Sequence, residues 1–159
     1  MSNLVEEQQE ASSSEEEKKK DFIEKFSEER EKWSSDVVNI GKRFREVEKL
    51  EEVQVDLYSK RQQAIEYQYK LISIHTKIKK ALTVKWAKAY DDIAKNEDVR
   101  YSDKERMKIA DNAVSEMKYR SEVVYSQIEF FRETIKGIDS MLFGVKHRIE
   151  IENFKIGVK

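Results

Sequence analysis

The residues of this chain best suited to chemistry are lysines, and the chemistry is charge neutralisation rather than bond making. Lys70, Lys77, Lys79, Lys80, Lys85 and Lys88 fall within one short stretch of the 159-residue sequence, with Tyr69 and Tyr90 among them. Residues 60–95 carry 9 bases against 3 acids, Glu66, Asp91 and Asp92, whereas residues 1–56 carry 17 acids against 10 bases. A net charge of −1 therefore conceals an acidic third and a basic segment, a separation that predicts an anionic partner for the latter. Cations interleaved with aromatic rings suit single-stranded nucleic acid, because phosphates need positive charge and unstacked bases need flat partners. The simpler role for the same lysines is solubility, as a hydrated helix face.

Catalysis has no comparable support. His75 and His147 are 72 positions apart and neither lies in H-E-x-x-H. His147 with Glu150 gives H-x-x-E, the reverse of the Glu-x-x-His found in di-iron bundles. There is no cysteine, and 4 glycines are too few for a phosphate-cradling loop. No catalytic residue, no metal site and no cofactor is expected, and each histidine reads as a partly exposed helix residue.

The elements that must position the lysines are helices. The chain has no proline, which costs roughly 3 kcal/mol inside a helix, and its apolar residues recur every three or four positions. An all-α fold of long helices is expected, in an elongated, coiled-coil-like protomer. Residues 1–20, acidic and poor in apolar side chains, are expected to be a disordered tail. Residues 21–52 form an N-terminal amphipathic helix with Phe22, Phe26, Trp33, Val37, Ile40, Phe44 and Val47 on one face, and Ser34-Ser35-Asp36 as a candidate break. Residues 53–159 form the helical core. Its first helix starts at Asp56 as N-cap and runs to about Lys95, with Tyr67, Leu71, Ile74, Ile78, Leu82, Trp86, Ala89 and Ile93 on the apolar arc.

On a helical wheel with Tyr67 at the origin, Lys70, Lys77, Lys80, Lys88 and Lys95 fall between about 220° and 300°, largely opposite that arc. Lys79 lies on the other flank, and Lys85 projects close to the apolar arc. Trp86 and Tyr67 sit on the core stripe, which leaves Tyr69 and Tyr90 as the stacking candidates. A membrane-surface role has weaker support, because helix packing explains the apolar face equally well and the tail is acidic.

The last helix begins at Ser102 with Glu105, a capping box. It repeats apolar residues at Met107, Ala110, Val114, Met117, Val124, Ile128, Phe131, Ile135, Ile138, Leu142, Val145 and Ile149, interrupted by Ser121. Six heptads predict a coiled-coil or bundle seam, with a bend or end near Gly144. Val124, Ile128, Phe131, Ile135, Ile138, Leu142, Val145 and Ile149 are the oligomerisation candidates.

Residues 57–159 resemble the UvsY-like recombination mediator proteins of T-even-type bacteriophages. The likeness rests on Leu57-Tyr58-Ser59-Lys60, on Lys79-Lys80, Lys85-Trp86 and Tyr90, and on Ile138-Asp139, Phe143-Gly144-Val145-Lys146-His147 and Phe154. The sequence departs from that pattern at Ala89-Tyr90-Asp91-Asp92, where the family has paired tyrosines and a glycine turn, and residues 1–52 exceed it. The resemblance implies a non-enzymatic, ring-shaped homo-oligomer that binds single-stranded DNA and helps load a recombinase onto DNA covered by single-stranded-DNA-binding protein. Both proteins would be partners, and Lys79, Lys80 and Lys85 would contact DNA. A different class remains open: a structural or adaptor coiled coil that binds partner helices and no nucleic acid. With neither a 20-residue apolar run nor a signal peptide, the expected location is the cytoplasm, that of the host cell if phage-encoded.

Overall fold

The computed structural model describes residues 2–95 and 100–157, with side chains from residue 22 onward. No strand occurs among them. Helix α1 spans Ser2–Lys42, α2 Leu50–Ala94, α3 Asp103–Ala113 and α4 Ser115–Gly157, with two 3₁₀ turns, Arg43–Arg45 and Val47–Lys49, between α1 and α2. The residues expected to form an acidic tail are the N-terminal part of α1, and their side chains lie outside the described residues.

Three boundaries differ from the pattern in the sequence. The first helix ends at Lys42 rather than Glu52, because Glu46 adopts an extended conformation (φ −94°, ψ 104°). Apolar spacing conceals this reversal, since Phe44 continues the stripe of Ile40 beyond the end of α1. What fixes the turn is distant in sequence: the Arg148 guanidinium donates to the carbonyl oxygen of Phe44 at 2.7 Å, and a cation there also complements the negative end of the helix dipole. Asp56 is consequently an interior residue of α2 and not its cap; its carboxylate accepts from Arg43. Asp36 does not break α1 either, because its carboxylate accepts from Lys60 at 2.6 Å instead of competing for local backbone.

The capping box forms as expected, the Ser102 hydroxyl accepting from the Glu105 amide while Glu105 accepts from the Ser102 amide. The third boundary is at Val114, whose ψ of 4° interrupts the helix. There the Ser115 hydroxyl donates to the Asn112 carbonyl, a local bond of the kind that rivals helix continuation. Gly144, where a bend was expected, lies inside α4, which runs on to Gly157.

The chain divides into two compact units. The first comprises residues through Arg61 and from Gly137 onward; the second is Gln62–Lys136. In the first, Leu50, Val53 and Leu57 of α2 pack with Ile138, Leu142 and Val145 of α4, and Val37, Ile40 and Phe44 close the cluster. Fully burying an aliphatic side chain contributes about 1.5–3 kcal/mol, so this cluster is the main anchor of the unit. In the second unit α2 runs antiparallel to α3 and α4: Tyr67 stacks on Phe131 with centroids 5.6 Å apart, His75 meets Tyr125, and Trp86 reaches Asp111.

Candidate nucleic-acid interface

The six candidate lysines all lie on the part of α2 within the second unit, where Leu71 is the last buried residue of that helix. Ile78, Leu82, Trp86, Ala89 and Ile93 continue the apolar stripe but are only half-buried. This stripe holds the opposite face outward. Lys70, Lys77, Lys79, Lys80, Lys85 and Lys88 are all exposed, and none is ion-paired among the described residues. Lys70 makes one contact, its ammonium lying 5.4 Å from the Tyr67 ring centroid. The hydroxyls of the exposed threonines between them fold back on the helix itself, Thr76 donating to the Ile72 carbonyl and Thr83 to that of Lys79. Lys70, Lys77, Lys80 and Lys88 share the face opposite the stripe, while Lys79 and Lys85 project from its flanks.

The two candidate tyrosines diverge. Tyr69 is 68% exposed and free to receive a flat partner. Tyr90 is half-buried, with its ring stacked on Trp86 at 5.4 Å and 13° and its hydroxyl donating to Asp103 at 3.4 Å. Trp86 in turn donates from Nε1 to Asp111 at 3.0 Å. Lys118 and this indole together hold the Asp111 carboxyl below its ordinary range. Trp86 and Tyr90 thus tie α2 to α3, a packing role that leaves Tyr90 poorly placed as a stacking platform.

The assembly candidates also change role. Val124, Phe131, Ile138 and Val145 are 0% exposed, Ile128 and Leu142 nearly so, and Ile135 and Ile149 half-buried, all within a single chain. The heptad seam is spent inside the protomer, against α2 and α1, and is not free to join copies. Met107, its first member, is exposed instead. A different face of α4 is open. Phe143, Ile151 and Phe154 are exposed along one side of the helix, with His147 stacked over Phe143.

His75, Lys79, Ser121, Glu122 and Tyr125 line a groove of about 290 Å³ that no spacing in the sequence marks. Its only trace there was Ser121, the small residue that interrupts the seam. Among the described residues no group of three or more His, Cys, Asp or Glu is placed to hold a metal ion, and no helix is long and apolar enough to cross a membrane. Comparison with protein-family models, with curated proteins and with solved structures finds no match.

Proposed function

We propose that this chain is a non-enzymatic, single-stranded-DNA-binding recombination mediator that helps load a recombinase onto DNA covered by single-stranded-DNA-binding protein. One observation carries the DNA-binding part: six lysines exposed on one helix without ion-pair partners among the described residues. Holding like charges together unpaired is unfavourable, and an anionic polymer relieves it by releasing its condensed counterions. The recombinase, the single-stranded-DNA-binding protein and the ring-shaped oligomer rest on the resemblance of residues 57–159. With the heptad seam internal, a ring would assemble through other surfaces, of which the Phe143, Ile151 and Phe154 face is the most apolar.

Fluorescence anisotropy with labelled oligo-dT tests the binding. Affinity should fall by about 0.7 log unit per log unit of salt for each phosphate neutralised. Changing Lys79, Lys80 and Lys85 together to Ala should weaken it severely; unchanged binding would remove those residues from the interface. The exposed Phe143 and Phe154 favour a second reading, a helix-binding adaptor, for which oligo-dT binding would be negligible at low salt.

A further inference from the structure

The groove beside Tyr125 contains groups that phosphate binding alone does not explain. His75 and Lys79 of α2 face Ser121, Glu122 and Tyr125 of α4 across about 290 Å³. The His75 and Tyr125 rings are 5.7 Å apart, tilted by 38°. Burial, then the Lys79 charge, pushes the His75 pKa down, which favours the uncharged imidazole. Tyr125 is 50% exposed. Lys79 and Glu122 are both exposed and neither is ion-paired among the described residues. The volume sits just below the roughly 300–1,000 Å³ of small-molecule sites, which suits one ring system rather than a length of polymer.

Glu122 decides the chemistry. A carboxylate would repel a phosphate lodged in the groove, so this is a poor anion pocket. It is an acceptor with no proton to give, so it suits a ligand edge that offers N–H groups. We propose that the groove receives one unstacked nucleobase of the bound strand against Tyr125 and His75, with Glu122 accepting from its exocyclic amino group and Lys79 holding the adjoining phosphate. The assignment rests on the single-stranded-DNA reading and sharpens it by adding a base preference. Cytosine presents an amino group at this edge where thymine presents a carbonyl oxygen, which Glu122 would repel. Stacking against Tyr125 contributes to all bases alike.

The test compares oligo-dC with oligo-dT of equal length, at one salt concentration and slightly alkaline pH. The wild type should bind oligo-dC roughly three- to tenfold more tightly. Glu122→Gln, whose amide both donates and accepts, should bring the ratio close to one. Tyr125→Ala should weaken both oligonucleotides by roughly five- to a hundredfold, and Tyr125→Phe should restore them, with far-ultraviolet circular dichroism verifying that each variant is helical. Equal wild-type affinities, or a preference that Glu122→Gln leaves intact, would overturn the base pocket while the lysine interface stands. Failure to bind either oligonucleotide at low salt would overturn the nucleic-acid reading and the pocket with it.

Discussion

The two units of this chain treat positive charge in opposite ways. In the first, Arg43 reaches Glu52 and Asp56, Lys60 reaches Asp36, Arg61 reaches Asp139, and Arg148 donates to the backbone at the end of α1. Lys60 also lies 3.9 Å from the Trp33 ring centroid. In the second, cations of α3 and α4 pair with nearby acids, as Lys118 does with Asp111 and Arg120 with Glu116. The α2 lysines do not. The same helix, α2, thus changes role along its length: before Arg61 its charges join elements, and beyond it they face solvent with no assigned acceptor. Apolar burial changes in parallel, from the sealed Leu50, Val53 and Leu57 to the half-buried Ile78 and Leu82.

The largest test of this contrast is in the core. Leu57→Ala should cost about 2–5 kcal/mol, because a sealed site loses both burial and packing. Leu82→Ala, at a half-buried site on the same helix, should cost about 1–2 kcal/mol. Urea unfolding followed by circular dichroism gives both values, and equal losses would erase the distinction.

Charge removal comes next. Replacing Lys77, Lys80 and Lys88 together with Ala should reduce the salt dependence of oligo-dT binding by about 2 log units per log unit of salt, at roughly 0.7 for each phosphate contact. Stability should move by no more than about 0.5 kcal/mol, as for ordinary surface changes. Lys60→Ala should do the reverse: it loses an ion pair and a cation–π contact, costs about 1 kcal/mol, and leaves the salt dependence unaltered.

A local device in the second unit supplies a smaller effect. Ser102→Ala should cost about 1 kcal/mol by removing the cap of α3. The Ser102 amide and hydroxyl also hold the Glu105 carboxyl below its ordinary range. That contribution is complete above the unfolded value of about 4.3 and is lost as pH falls through the lower folded value. Thermal melts between about pH 6 and pH 3 should show a decline that is shallower in Glu105→Gln. Smallest is Gly137→Ala. A Cβ at that position meets nothing within 4 Å, so the change should stabilise α4 by about 0.4–1 kcal/mol in urea unfolding.

Much of the scaffold was legible from spacing. The α2 and α4 stripes, the Ser102 capping box and the outward lysines follow from periods of three and four, which record which face of a helix is apolar. The turn between α1 and α2 was not, because no glycine or proline marks it and Phe44 keeps the apolar rhythm. The Val114 interruption was hidden in the same way, its side chain occupying the expected seam position while its backbone leaves the helix. The contact of Tyr90 was not legible either, because a wheel places it off the core yet does not reveal Asp103, 13 residues onward, as the acceptor of its hydroxyl.

The sequence by itself determined that this protein is helical, where its apolar stripes run and that its charge is segregated, since these depend on residues within a turn or two of one another. Only the tertiary structure decided that the heptad seam is consumed within the chain, which cations are paired, and that His75, Glu122 and Tyr125 share a groove. The physical reason is separation along the chain: Lys60 finds Asp36 across 24 residues and Arg61 finds Asp139 across 78. Periodicity specifies a face, but the occupant of that face is chosen by packing.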